Sequence, residues 1–285
     1  MRPESNWAIA LKSKRGPGYD CGMDRRRLWH RIRRVWITLG LSATAVFVIW
    51  SLIAYRASAE AHAATRADSV VDVRHDDGIW YFAPRSAAST RRAGLVFFPG
   101  ALVDPVAYAP IARAAAAEGF PSFIVELPRR GAFGGADSPA MWSRLRRLLH
   151  QPGMPPRWVA AGHSRGGVVA SQLASDPPDG FAGLVLIGTS HPRDVDLSKL
   201  TVPVTKLAGT HDGLASRAEV EENRGKLPAS TRWVWVEGGN HSQFGWYGFQ
   251  PGDKRATIDA SEQRAMMIRA VVEALTAARG GATAE

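Results

Sequence analysis

The chain has 285 residues, of which 45% are apolar, and its formal net charge is +10. This length allows one sizeable domain with an appendage, and the apolar content is ordinary for a globular core. Residues 1–34 contribute +7 of the charge, and the other 251 residues contribute only +3. The basic balance therefore belongs to the N-terminal segment, and it does not indicate a nucleic-acid-binding domain.

Cys21 is the only cysteine of the chain. A single cysteine excludes an intrachain disulfide framework and a cysteine-based zinc site. The histidines also lack the spacing of metal ligands, so we predict neither a metal nor a cofactor. We interpret Cys21 as an ordinary exposed thiol.

An uncharged apolar stretch at residues 35–55 follows a segment that is rich in arginine. As a helix its 21 residues would extend about 31 Å, which matches a hydrocarbon core of about 30 Å. The preceding arginines favour a cytoplasmic N-terminus. They are Arg25, Arg26, Arg27, Arg31, Arg33 and Arg34. We therefore predict a basic cytoplasmic tail at 1–34, a single-pass signal anchor at 35–55 and an extracytoplasmic domain.

A secreted protein is the alternative to this anchor. The stretch could be a signal peptide that is cleaved at Ala57-Ser58-Ala59 or at Ala61-His62-Ala63. Its apolar length exceeds the 7–15 residues that are usual for such a core, which favours the anchor. The true start, at Met1 or at Met23, stays open, and the oligomeric state is not predicted.

Apolar runs alternate with helical patterns from residue 70 onward. We predict a hairpin over residues 70–84, then strands at 94–98, 122–127, 158–163, 183–188, 202–209 and 231–237. Helices are predicted between these strands, and a final helix at about 259–278. This order indicates an α/β fold with a mostly parallel sheet and helices on both faces. The domain is predicted at 70–281, after a linker at 56–69 and before a tail at 282–285.

A Gly-x-Ser-x-Gly motif lies between the apolar run 158–163 and a helical pattern. A serine at such a strand-to-helix turn is held in a strained backbone and is pushed out of the sheet. Gly162 and Gly166 avoid collisions where the chain doubles back. We therefore predict that Ser164 is a nucleophile. The alternative is a tight turn whose serine only caps the helix.

A nucleophilic serine needs a base and an orienting acid. Asp212 follows the predicted strand 202–209, and His241 follows 231–237, which matches the order of serine, acid and histidine along the chain. We predict His241 as the base and Asp212 as the acid. The alternatives are His211 for the base, and Asp194 or Asp196 for the acid. His163 is expected to be packed inside the turn.

Two backbone amides would form the oxyanion hole. We predict that they are the N–H groups of Arg165 and Ala101. Leu102, Phe244 and Tyr247 are predicted to line a substrate pocket, although the aromatic residues after His241 could instead cover the end of the sheet. The connections 128–157 and 189–201 leave no room for a large lid, so we predict little or no cap domain.

From about Phe97 to the final helix, the chain resembles the α/β hydrolases, in the subgroup near dienelactone hydrolases and small esterases. The resemblance rests on residues 98–108, 162–167, 209–215 and 238–245. It implies that Ser164, Asp212 and His241 form a catalytic triad. Dienelactone hydrolases proper use a cysteine nucleophile, and relatives often carry leucine at the position of Arg165, so the substrate is not implied.

These observations predict a membrane-anchored serine hydrolase that cleaves an ester or related acyl bond in a small molecule, through an acyl-enzyme. Two alternatives stay open. One is a catalytically silent domain that binds an envelope component. The other is an acyltransferase that uses the same three residues and excludes water.

Overall fold

The computed structural model describes residues 25–86, 93–132 and 138–279. Cys21, Met23 and the tail predicted at 282–285 lie outside the described residues. The chain divides into two units, residues 1–49 and residues 50–285.

The second unit is built on an eight-stranded sheet with the order β1-β2-β4-β3-β5-β6-β7-β8. Neighbouring strands from β4 through β8 in this order are parallel, whereas β1 and β2 form an antiparallel hairpin at one edge. The strands are β1 Val71–Asp76, β2 Ile79–Pro84, β3 Ala93–Phe98, β4 Ser122–Val125, β5 Arg157–His163, β6 Phe181–Ile187, β7 Val204–Gly209 and β8 Arg232–Val236. The α/β fold with a mostly parallel sheet is confirmed.

The sheet has helices on both faces because its strands are apolar on both sides. Along β3, Leu95 and Phe97 belong to one apolar cluster, and Val96 and Phe98 belong to the other. Side chains alternate between faces along a strand, so a continuous apolar run supplies two cores. The helices are α1 Arg25–Ala54, α2 Ala59–Ala64, α3 Ala109–Ala117, α4 Pro139–Leu149, α5 Arg165–Ser175, α6 Arg217–Glu222 and α7 Ala260–Arg279.

The two faces carry different helices. Helices α2, α3 and α7 contribute to the first cluster, and α4 and α5 contribute to the second. The segment 56–69, predicted as a linker, contains α2, whose Ala61 and Ala64 are buried in the first cluster. The connection between β6 and β7 is described throughout and has no helix or strand.

Helix α1 is longer than the apolar stretch predicted at 35–55, since it begins at Arg25. Arginine and leucine are good helix formers, so the basic segment continues the helix toward the N-terminus. Among the described residues, this helix alone is long and apolar enough to cross a membrane. A signal sequence would pass the same test. Its last residues, 50–54, belong to the second unit.

Candidate active site

The backbone turns sharply at Ser164, between β5 and α5. The residue has φ 53° and ψ −117°, a region that non-glycine residues rarely occupy. A Cβ atom on Gly162 would lie 2.1 Å from the carbonyl oxygen of Gly166, and one on Gly166 would lie 1.9 Å from that of Phe98. Both glycines are therefore required for the turn. The side chain of Ser164 is half-buried at the carboxyl edge of the sheet.

His241 and Asp212 form a buried hydrogen-bonded pair at the same edge. Nδ1 of His241 lies 2.9 Å from Oδ2 and 3.1 Å from Oδ1 of Asp212. Both side chains are about 1% exposed. The amides of Leu214 and Ala215 also donate to Oδ1 of Asp212, at 2.8 and 2.7 Å. A carboxylate that accepts these bonds requires Nδ1 of His241 to donate its proton, which leaves Nε2 as the acceptor nitrogen.

Nε2 of His241 is buried and makes no hydrogen bond to any described residue. The ring of His241 lies 4.5 Å, centroid to centroid, from the ring of His163. Because His163 directly precedes Ser164 in the chain, this contact places the imidazole of His241 beside the strained turn. The structure thus brings the predicted base and acid into contact, without a hydrogen bond from Ser164 Oγ to His241.

Two backbone amides near Ser164 are free to donate. The amide of Ala101 forms no hydrogen bond with a described residue, although the amides on either side are engaged. Gly100 donates to Tyr108 Oη at 3.2 Å, and Leu102 donates to the carbonyl oxygen of Arg130 at 2.7 Å. The amide of Arg165, at the start of α5, is likewise without a described partner. These are the two amides predicted for an oxyanion hole.

His163 is fully buried, as predicted, and it has a structural partner. Its Nδ1 lies 2.8 Å from Tyr108 Oη. Burial lowers the pKa of His163 well below its usual range, and the neighbouring His241 lowers it further, so the ring is neutral. Burial also raises the pKa of Tyr108, which keeps its hydroxyl protonated. That hydroxyl also accepts a hydrogen bond from the amide of Gly100 at 3.2 Å, so it bridges Gly100 and His163.

The alternative bases and acids lie elsewhere. Nδ1 of His211 is 3.3 Å from the carbonyl oxygen of Arg255. Asp196 is exposed and accepts a hydrogen bond from the amide of Ser198 at 2.9 Å. Asp194 is also exposed, in the same connection after β6. None of these three residues pairs with His241. The carboxylate that does so belongs to Asp212.

Asp253 is a site residue that the sequence analysis missed. Its Oδ1 accepts from the amides of Gly213 at 3.1 Å and His241 at 3.2 Å, and its Oδ2 accepts from the amide and Oγ of Ser242 at 2.8 and 2.7 Å. One carboxylate therefore ties the loop of the acid to the loop of the base. In the sequence, Asp253 follows Pro251-Gly252 and is indistinguishable from a residue of an ordinary turn.

The three predicted pocket residues occupy different environments. Leu102 is 43% exposed and has a φ of 64°. Phe244 is fully buried in the first apolar cluster, where its ring lies 5.8 Å from that of His163. Tyr247 is mostly buried and lines a cavity of about 620 Å³ together with Asn240 and Ser242. Within the described ranges, no group of three or more His, Cys, Asp or Glu could hold a metal ion.

Comparison of the chain with family models agrees with the fold. A family model described as "Alpha/beta hydrolase family" matches residues 94–265, which is more than half of the chain. Curated proteins give no match. A similar solved structure is described as an alpha-beta serine hydrolase homologue from Coxiella burnetii. It is 12% identical, the similarity covers 74% of this chain and 99% of that one, and the TM-score is 0.49.

Proposed function

Because this chain belongs to the alpha/beta hydrolase family, we propose that it is a serine hydrolase in which Ser164, His241 and Asp212 act together on an ester or related acyl bond. Family membership supports a hydrolase. The single observation that carries the finer proposal is the buried His241–Asp212 pair, which lies beside the strained turn of Ser164. A base, an orienting acid and a serine hydroxyl are the groups that acyl transfer through a serine requires.

In the first step, His241 Nε2 takes the proton of Ser164 as Oγ attacks the acyl carbon. The ester C–O bond then breaks, and the alcohol leaves with that proton. Asp212 keeps its charge and stabilises the imidazolium that forms. Its carboxylate already accepts the amides of Leu214 and Ala215, so it is held in place before the reaction begins.

The negative charge of the tetrahedral intermediate develops on the former carbonyl oxygen. The free amides of Ala101 and Arg165 would donate to it, and removal of one such donor typically costs ~2.7–4 kcal/mol of transition-state stabilisation. In the second step, His241 activates water, which attacks the acyl-enzyme and releases the acid. The connection between β6 and β7 contains no helix or strand and so adds no covering domain at this edge, which favours water over another acceptor.

Anchoring by α1 is part of the proposal. The helix contains 20 residues of the 21-residue uncharged stretch, which has arginines before it and only Arg56 directly after it. This charge bias favours a cytoplasmic N-terminus and an extracytoplasmic hydrolase domain. A mature protein that begins near residue 60, established by N-terminal sequencing, would instead mean a cleaved signal peptide and a secreted enzyme.

Covalent labelling tests the nucleophile. A fluorophosphonate probe should label the full-length protein, and Ser164→Ala should abolish both the labelling and the hydrolysis of p-nitrophenyl butyrate. Ser175→Ala is the matched control, because Ser175 lies at the exposed end of the same helix and should leave both signals unchanged. Folded protein that is neither labelled nor active on short esters would contradict the proposal.

A further inference from the structure

The end of α1 is hydrogen-bonded to both loops of the candidate site. The carbonyl oxygen of Ala54 accepts from the amide of Gly248 at 2.8 Å, and that of Tyr55 accepts from the amide of Asp104 at 2.9 Å. Gly248 lies in the segment that follows His241, and Asp104 follows the oxyanion loop at Ala101. The residues at which the proposed anchor ends are thus in direct contact with the loops that carry the base and the oxyanion hole.

A cavity of about 620 Å³ lies at this junction, within the second unit. Its apolar lining includes Trp50, Tyr247 and Phe249, and the side chain of Phe249 is 43% exposed. Asn240 and Ser242, the two neighbours of His241, also line it. Aromatic side chains of this kind prefer the interface between a bilayer and water.

The same cavity has a positively charged side. Arg255, Arg264 and the first residue of α7, Ala260, line it. Arg255 forms no ion pair with a described residue, and Nε of Arg264 is buried without a hydrogen-bond partner among them. Nη1 of Arg264 lies 3.9 Å from the carboxylate of Glu60, which is 68% exposed, and Nη2 donates to the carbonyl oxygen of Gly245 at 3.0 Å.

Aromatic and cationic linings meet in one cavity at the end of an apolar helix. A ligand that matches this lining has an anionic headgroup joined to acyl chains. Anionic membrane lipids combine these two parts at the surface of a bilayer. Beyond α1, three large apolar side chains are exposed on the described part of the second unit. They are Phe249, Val70 and Leu102, of which Leu102 is next to Ala101. Two of the three exposed apolar residues, Leu102 and Phe249, therefore follow the two site loops.

We propose that this cavity binds the anionic headgroup of a membrane lipid, and that the substrate is an acyl ester of such a lipid, taken from the bilayer surface. The inference rests on the proposed function, since Ser164 would attack the lipid's acyl carbon. The ester C–O bond breaks, the lysolipid leaves with the proton from His241, and water releases the fatty acid. Arg255 and Arg264 select the headgroup and take no part in bond breaking.

The test uses the full chain in nanodiscs of phosphatidylcholine, which expose both leaflets. Two probes with the same fluorogenic acyl chain are compared, a phosphatidylglycerol and a phosphatidylcholine. Soluble p-nitrophenyl butyrate is measured in parallel. We expect the phosphatidylglycerol probe to be hydrolysed about tenfold faster than the phosphatidylcholine probe, as is typical when charge-assisted hydrogen bonds are gained.

Arg255→Gln should reduce this preference to about twofold or less, with unchanged turnover of the soluble ester. Arg269→Gln is the matched control, because Arg269 is exposed on α7 and does not line the cavity. Phe249→Asn should slow both lipid probes and leave the soluble ester unchanged, whereas Val70→Asn should affect none of the three.

The outcomes separate the two proposals. Hydrolysis of the soluble ester with no lipid turnover, or with equal rates on both lipids, would overturn the lipid inference and leave the serine hydrolase intact. A preference for phosphatidylglycerol that persists in Arg255→Gln and in Arg264→Gln would overturn the assignment of the cavity. No turnover of any substrate by folded protein would overturn both proposals.

Discussion

The hydroxyl of Tyr108 lies 2.8 Å from Nδ1 of His163, and both side chains are fully buried. The same hydroxyl accepts the amide of Gly100. This chain of hydrogen bonds joins the loop of Gly100 and Ala101 to His163, the residue before Ser164. The hydrogen bond from the amide of Gly100 to Tyr108 holds the backbone there. The next amide, that of Ala101, forms no hydrogen bond with a described residue.

Tyr108→Phe removes this connection. It leaves Nδ1 of His163 and the amide of Gly100 buried without a partner, which should lower the free energy of unfolding by ~1–3 kcal/mol in urea denaturation. We also expect kcat to fall more than KM changes, since the oxyanion loop would lose its support. An unchanged kcat would show that the loop is held by other contacts. Tyr81→Phe, a half-buried tyrosine on β2, is the control.

Asp253→Asn tests the carboxylate that ties the two site loops. The asparagine amide would present N–H groups where the backbone amide and hydroxyl of Ser242 now donate to Oδ2. We expect kcat on p-nitrophenyl butyrate to fall at least about tenfold with a small change in KM, because the ring of His241 would lose its position. Stopped-flow labelling by a fluorophosphonate should slow in parallel. Asp179→Asn, at an exposed residue, should leave the labelling rate as it is in the unmodified protein.

Gly166→Ala tests the turn itself. The added Cβ would lie 1.9 Å from the carbonyl oxygen of Phe98, so the strand or the helix must move. We expect a loss of stability above ~2 kcal/mol, in the range of overpacked cores, together with loss of activity. Gly225→Ala is the matched control because nothing lies within 4 Å of its Cβ. Equal melting temperatures for the two variants would contradict this account of the motif.

Lys206 makes the stability of the fold depend on pH. Its side chain is fully buried on β7, where Nζ donates to the carbonyl oxygen of His191. Burial, with a smaller contribution from the charge of Arg193, lowers its pKa from 10.5 to about 7. Between these pH values the unfolded chain binds more protons than the folded one, so stability should rise with pH by at most ~1.4 kcal/mol per unit.

Lys206→Met removes this pH-dependent contribution to the free energy of unfolding. Denaturation at pH 6 to 10 should show the unmodified protein gaining stability relative to the variant as the pH rises above about 7. Below pH 7 the cost of the buried charge is fully present, and there the variant should be the more stable of the two. Parallel stability curves for the two proteins over this range would exclude a buried lysine with a lowered pKa.

The strand pattern could be predicted because it is local. The run Leu95-Val96-Phe97-Phe98 is apolar at every position, which is typical of a strand buried on both faces. Likewise Asp77-Gly78 between two alternating segments predicts a tight hairpin, and both residues have a positive φ in the structure. Helix ends are harder to predict. Helix α6 ends at Glu222 and is followed by a 3-10 turn that contains Gly225, a weak helix former.

By itself, the sequence determined the α/β fold and the strained turn at Ser164, since both depend on patterns among neighbouring residues. It also determined the order of serine, acid and histidine along the chain. Only the tertiary structure decided that Asp212 is the partner of His241, that Tyr108 meets His163 55 residues away, and that Asp253 bonds to Gly213 40 residues away. Such contacts depend on which strands lie side by side. A buried polar group must find its partner wherever the sheet places one, and local sequence does not reveal that position.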